Sequence, residues 1–346
     1  MTLFPSLIPY GWNDLALPPG TTPARVTRHD GAMLTVWSVT GELVLRNTVD
    51  LDPSPTVGDW LALHGADAAD PLAVRIGLVL ERSSLLRRQS ADDTGDQALA
   101  ANVDVVLVTC GADRPIKAGR IDRGIAQARD AGATPIVVLT KLGAGDALPI
   151  DRGRLEREHP GVEVFLTSAL EGEGIADVRA ALANRTAVLL GESGAGKSTL
   201  TNAIVGNDAA LTGEVRSGDA KGRHTTTSRQ LHLIPGGGVI IDTPGIRSIG
   251  LAADADAIDA TFADIVEWAE GCRFSDCAHG GEPGCAVREA LDSGELSEQR
   301  YDSWRRLQRE AASAAIRSDA RARHQYARQF GRAARQGQEH KRGSKR

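Results

Sequence analysis

The sequence predicts an α/β protein: a mostly parallel sheet covered on both faces, a small β-barrel ahead of it, and a helical, cysteine-bearing unit behind. Three observations carry this. Apolar runs at Val103–Thr109, Thr134–Leu139, Val162–Thr167, Thr186–Leu190 and Val239–Asp242 are nearly continuous and spaced by helical stretches, the pattern of strands buried on both faces. Residues 24–85 instead read as short strands divided by turn signals. Between the fourth and fifth apolar runs lies Gly191-Glu192-Ser193-Gly194-Ala195-Gly196-Lys197-Ser198-Thr199, a glycine-rich turn that follows a strand and opens a helix.

Residues 1–23 form an arm with Pro5, Pro9, Pro18 and Pro19, in which Leu7, Ile8, Tyr10 and Trp12 can pin it to a neighbour. Residues 24–85 hold about five short strands, including Ala32–Val39, Glu42–Leu45, Trp60–Leu63 and Arg75–Leu80. That density suits a barrel of the OB type, whose face either binds nucleic acid or only packs on its neighbour. Aromatic residues are few here, so any contact to RNA falls on the backbone rather than on stacked bases. The strands of the central sheet alternate with helices, Arg120–Ala131 being the clearest, and such sheets bind ligands at the carboxyl ends of their strands. Arg229–Ile234 turns through Pro235-Gly236-Gly237-Gly238 into Val239 as a hairpin. Helix is predicted over Ala252–Glu270 and Glu295–Phe330.

The chain has 346 residues, too many for one compact core, and implies two or three domains. No apolar stretch is long enough to cross a bilayer, and Met1-Thr2-Leu3-Phe4-Pro5 lacks the features of a signal peptide. A cytoplasmic protein is expected. Three of the four cysteines fall within fourteen residues, which favours a metal site over a disulfide framework. The net charge of −5 hides an asymmetry: Arg305–Arg346 carries thirteen Lys/Arg against three Asp/Glu. A basic tail on an acidic body fits a polyanion partner, or a solvated helix with a frayed end.

The glycine-rich turn carries the sharpest chemistry. Gly191, Gly194 and Gly196 let the backbone curl its N–H groups inward onto phosphate oxygens, and the new helix adds its positive end. Lys197 reaches the β- and γ-phosphates and Ser198 ligates Mg²⁺ in such loops. Asp242-Thr243-Pro244-Gly245 closes the fifth strand, where an acidic residue supports Mg²⁺ and the glycine N–H senses the γ-phosphate. Lys221-Gly222-Arg223-His224-Thr225-Thr226-Thr227 lies between the two. A threonine there completes the Mg²⁺ shell, with three adjacent candidates, or else these are β-formers leading into the next strand. Thr140-Lys141-Leu142-Gly143 ends the second strand, where a GTPase carries Asn-Lys-x-Asp, whose aspartate accepts from guanine N1–H and the amino group. Ser168-Ala169 ends the third and matches the motif whose backbone contacts the guanine oxygen.

With these motifs, and with Val57-Gly58-Asp59-Trp60 and Ala100-Ala101-Asn102-Val103-Asp104, the chain resembles the circularly permuted, ribosome-dependent GTPases called RsgA or YjeQ. The resemblance rests on motif order: the base motif and Ser-Ala precede the phosphate loop. It implies a permuted P-loop GTPase domain over 86–250, an OB-type barrel over 24–85 and a zinc-binding helical domain over 251–346. Cys272, Cys277, His279 and Cys285 match the family's zinc motif; three thiolates and an imidazole fill a tetrahedral shell, so the single Zn²⁺ is structural. It further implies a monomer that hydrolyses GTP with Mg²⁺, stimulated by the small (30S) ribosomal subunit, gripping its 16S rRNA during late maturation.

Two positions depart from the patterns. Gly143 stands where the family usually has Asp, and Thr140 where it usually has Asn. Loss of a base-specific carboxylate predicts guanine selectivity weakened by about 2–4 kcal/mol; Asp146 needs a rearranged loop to replace it. Ile246 follows Asp-Thr-Pro-Gly where Ras-like enzymes place the water-orienting glutamine, as it does in the family, which predicts slow unaided hydrolysis and makes His224 the candidate to position water. The alternative is an RNA-binding assembly factor with a relaxed or non-catalytic nucleotide site. A metabolic P-loop kinase is disfavoured, since no lid or acceptor pocket can be read.

Overall fold

The computed structural model describes residues 4–47, 51–66, 73–89, 96–116, 118–143, 152–206, 229–242 and 253–316. A short 3-10 turn, Pro5–Tyr10, precedes five antiparallel strands: β1 (Thr22–Asp30), β2 (Met33–Ser38), β3 (Gly41–Arg46), β4 (Trp60–His64) and β5 (Arg75–Val79). Strand β1 pairs with both β2 and β4, β2 with β3, and β4 with β5. These are the short strands that the turn signals predict. A hairpin of β6 (Leu85–Gln89) and β7 (Asp96–Ala101) follows as a separate two-stranded sheet, which the sequence reading did not anticipate.

The central unit runs through β8 (Val105–Gly111), α1 (Ala118–Asp130), β9 (Thr134–Thr140), α2 (Arg152–Glu158), β10 (Glu163–Leu166), α3 (Ile175–Ala181), β11 (Thr186–Leu190), α4 (Lys197–Val205), β12 (Arg229–Leu233) and β13 (Val239–Asp242). Its parallel strands lie in the order β10-β9-β8-β11-β13. Continuous apolarity has its reason in the two faces. Val106 and Val108 of β8 join Ile121 and Ile125 of α1 in one core. Val105 and Leu107, their period-two alternates, join Val178 of α3 and Ile204 of α4 in the other. Strand β12 is antiparallel to β13 and also to β1, with Arg28 opposite Gln230, so both sets of strands form one eleven-stranded sheet.

A buried cation reinforces that junction. Arg25 of β1 donates to the carbonyls of Tyr10, Gly58 and Asn102 and, at 2.9 Å, to the Thr186 hydroxyl of β11. It also lies over the Trp60 ring. Burial pushes its pKa down to about 10, against the pull of Asp104 and Asp59, so it stays charged at neutral pH.

The C-terminal unit comprises α5 (Ala255–Thr261), α6 (Ala263–Glu270), α7 (Ala286–Ser293) and α8 (residues 298–316). The helix expected over Ala252–Glu270 is in fact two. Phe262 breaks it, leaving helical geometry while its fully buried ring packs under Arg300. Asp254 caps α5 by accepting from the Ala257 N–H at 2.8 Å. The remainder of the expected basic helix and tail lies outside the described residues. Ile258, Phe262, Ile265, Val287, Leu291, Trp304 and Leu307 form this unit's core, which also takes in Ala126 of α1. Among the described residues no helix is long and apolar enough to cross a membrane.

Arg300 of α8 ties this unit to the central one. It donates to both oxygens of Asp264 (2.6 and 2.7 Å), to Asp122 of α1 (3.2 Å) and to the Thr261 carbonyl (3.0 Å). His159 sits 3.6 Å from Asp122. Burial, helped by the Arg300 charge, pushes His159 down to about 3, so its imidazole is neutral in the fold. Unfolded histidine titrates near 6.5, so from about pH 6.5 down to 3 the unfolded chain binds the extra proton and stability falls with pH. Asp122 opposes this: burial lifts it to about 6, so the folded state gains relative to the unfolded as pH drops from 6 to about 4. We expect His159→Gln to remove only the first effect. Its melting temperature, relative to its own pH 7 value, should then fall less towards pH 4 than the wild type's does; parallel curves would refute the assignment.

Candidate functional site

The glycine-rich turn lies at the carboxyl end of β11, beside the ends of β8, β9 and β13. Gly191 leaves the strand against β8: a Cβ there would stand 2.3 Å from the Thr109 carbonyl oxygen, so only glycine permits the approach. Gly196 caps α4 in the left-handed region, at φ +84°. Lys197, first in the helix, folds back over the loop and donates to the carbonyls of Gly191 (2.7 Å) and Glu192 (2.8 Å). Burial lowers its pKa while the charges of Asp242 and Glu192 oppose that. Ser193, Ser198 and Thr199 are exposed around it, Ala195 is buried, and Gly194 accepts from Arg114 at 3.3 Å.

Thr140 is the last residue of β9. Its hydroxyl donates to the Ala195 carbonyl at 2.6 Å, a direct tether on the glycine-rich turn. Lys141 follows at φ +65° and its ammonium pairs with Asp113 at 2.7 Å. Asp113, held below the usual carboxylate range by Lys141 and Arg114, belongs to the loop after β8. The Leu142 N–H donates to the Thr167 carbonyl at 3.2 Å, which brings Thr140–Gly143 beside Ser168-Ala169. The two segments are far apart in sequence and adjacent in space. Asp242 ends β13, half-buried. His224, Thr225, Thr226 and Gly245 lie outside the described residues. Asp113, Arg114 and Arg120, which pairs with Glu192 at 2.6 Å, went unforeseen. Asp113-Arg114 following β8's carboxyl end was the available signal. A cavity of about 710 Å³ runs from Gly191 and Ala195 past α1 to Ser303 and Arg306 of α8.

The second candidate centre is the cysteine cluster. One ligand atom from each of Cys272, Cys277, His279 and Cys285 lies within 4.8 Å of the others. Tetrahedral bonds of about 2.3 Å to sulfur and 2.0–2.1 Å to nitrogen set S···S edges near 3.8 Å and S···N edges near 3.6 Å. The observed edges are 3.9 Å for Cys272–Cys285, and 3.5 and 3.4 Å from those two sulfurs to His279 Nδ1. The donor set fits a tetrahedral metal ion. Burial resists ionisation of Cys272, but the Val287 and Ala286 N–H groups at the start of α7 are among the groups that outweigh it and lower its thiol. Tyr301 donates to the His279 carbonyl at 2.8 Å, and Trp304 packs on the imidazole.

A glycine-rich strand–turn–helix at the carboxyl end of a parallel sheet, preceded in the chain by the strand ends that flank it, is the arrangement of a circularly permuted P-loop fold. The comparisons narrow this class. The RsgA GTPase family matches residues 79–252. The chain is 44% identical over 335 residues to the small ribosomal subunit biogenesis GTPase RsgA of Streptomyces coelicolor, covering 92% of this chain and 90% of that protein. The RsgA of Syntrophotalea carbinolica is 36% identical over 86% of this chain and 85% of its own. Among solved structures, YjeQ from Thermotoga maritima superposes with a TM-score of 0.59 at 25% identity, covering 84% of this chain and 99% of that one. YloQ, a circularly permuted GTPase, superposes at 0.60 and 22% identity over 85% and 96%. The chain belongs to the RsgA GTPase family and is a GTP-hydrolysing enzyme.

Proposed function

We propose that this chain hydrolyses GTP to GDP and phosphate on the small ribosomal subunit during its late maturation, and that the subunit stimulates the reaction. The observation that carries the reading is Lys197, folded back over the glycine-rich turn from the first position of α4. Its ammonium donates to the Gly191 and Glu192 carbonyls; phosphate oxygens would offer it stronger, charge-assisted bonds. Ser198, exposed on the first helical turn, would ligate Mg²⁺, and Asp242 would support it through water. When bound, Mg²⁺ would neutralise negative charge on the phosphates. Gly245 and the threonines Thr225 and Thr226 would order around the γ-phosphate, with His224 positioning water.

Thr140 to Gly143 with Ser168-Ala169 would hold the base. Cys272, Cys277, His279 and Cys285 would hold one Zn²⁺, closed to water and therefore structural. Residues 24–85 would act as an OB-type barrel and 251–346 as a zinc-binding helical domain. Both would grip 16S rRNA, the basic tail supplying phosphate contacts. The protein would act in the cytoplasm as a monomer.

Phosphate release from GTP and ATP, with and without purified small subunits, tests this. Subunit-stimulated, GTP-selective turnover is expected. Tight subunit binding without turnover would instead mark an RNA-binding factor with a non-catalytic nucleotide site.

A further inference from the structure

Gly143 leaves the base-contact segment without the carboxylate that reads guanine in an Asn-Lys-x-Asp motif. A neighbouring side chain lies at that place. A Cβ built on Gly143 would come within 3.0 Å of Glu171 Oε2 and 3.3 Å of Oε1. Aspartate oxygens lie about 2.4 Å from their own Cβ by ordinary bond lengths, so Glu171 carries a carboxylate to the edge of the space such an aspartate would fill. Its position is set by the fold. Ser168 accepts no slack, because its N–H bonds the Glu173 carbonyl at 3.1 Å and closes a tight turn with Glu171 near its tip. The Leu142–Thr167 bond then holds that turn beside Thr140–Gly143. Glu171 is exposed, and among the described residues its carboxylate has no hydrogen-bond or ion-pair partner.

We infer that Glu171 is the specificity-determining residue for the base, supplying from the neighbouring turn the carboxylate that position 143 lacks. This rests on the nucleotide site proposed above. Guanine presents N1–H and an exocyclic amine, two donors that a carboxylate accepts together. Adenine presents an unprotonated N1 and a C–H on the same edge, so it offers nothing to accept and meets lone-pair repulsion. Xanthine replaces the exocyclic amine with a carbonyl, which a carboxylate rejects and a glutamine amide can satisfy. Weakened guanine selectivity, expected from Gly143 alone, is thereby replaced by selectivity carried from another strand end.

The test is the affinity of GDP, XDP and ADP for the full chain, measured by titration calorimetry with wild type, Glu171→Gln and Glu173→Gln. Wild type is expected to prefer GDP. Glu171→Gln should weaken GDP by roughly 10–100-fold, as for lost charge-assisted hydrogen bonds, and strengthen XDP, so that the preference inverts. Glu173→Gln, a neutralisation two residues away, should leave all three affinities unchanged. Wild-type preference for GDP with an unaltered GDP-to-XDP ratio in Glu171→Gln would overturn this assignment and leave the nucleotide site standing. Equal wild-type affinities for all three would also overturn it. Failure of wild type to bind any of the three would overturn the site itself, and this inference with it.

Discussion

Lys197→Ala is expected to reduce GTP affinity and turnover together, by roughly 100- to 1,000-fold for two charge-assisted phosphate contacts. The fold explains why so much depends on one side chain. Its ammonium is drawn over the loop by the Gly191 and Glu192 carbonyls, which hold the cation against the glycine-rich turn. The alanine variant removes the cation and leaves those carbonyls, which repel phosphate. Fluorescent-GDP binding and phosphate release, each with and without small subunits, check the expectation. Folding should be unaffected, since the core beneath α4 rests on Leu200 and Ile204. A variant that binds GDP normally would show that the loop acts through its N–H groups alone.

Stripping the metal should have the largest effect on stability. Structural tetrahedral sites contribute about 10–16 kcal/mol of apparent folding free energy in small domains. The helical unit has few other means of holding residues 271–285, which contain no regular element between α6 and α7. With a strong chelator, or with Cys285→Ala, amides from Cys272 to Leu291 should lose hydrogen-exchange protection while β8 to β13 keep theirs. The same samples should drop from one bound metal per chain to none, and elemental analysis of the untreated protein should identify zinc. Unchanged protection after complete removal would show that Phe262, Ile265 and Trp304 suffice as a core.

What the sequence reveals here depends on how local the causes are. The glycine-rich turn and the four metal donors are legible because every group involved lies within a span of nine or fourteen residues. The central strands are legible because burial on both faces leaves a continuous apolar run. Pairing partners leave no such mark: nothing in Thr22–Asp30 indicates that it will lie beside Arg229–Leu233. Phe262 shows the limit from another side. Its helical surroundings fit one long helix, yet burial under Arg300 wins and breaks it. Thr140 reads as a lost asparagine in sequence, but its hydroxyl makes a tether that depends on the folded loop. Glu171 is harder still, because its relation to Gly143 passes through a turn and a neighbouring strand.

The junction between β1 and β12 bears on how the chain is made. Synthesis runs from the N-terminus, and β1 emerges about two hundred residues before its partner. The guanidinium of Arg25 waits similarly for Asn102 and then for Thr186 before its hydrogen bonds are complete. Until then the nascent strands present one open edge and one under-satisfied buried cation, a state prone to mispairing. The N-terminal strands therefore reach their final stability only once β12 and β13 have been made, although they are made first. Release of β13 from the ribosome becomes the event that closes the sheet.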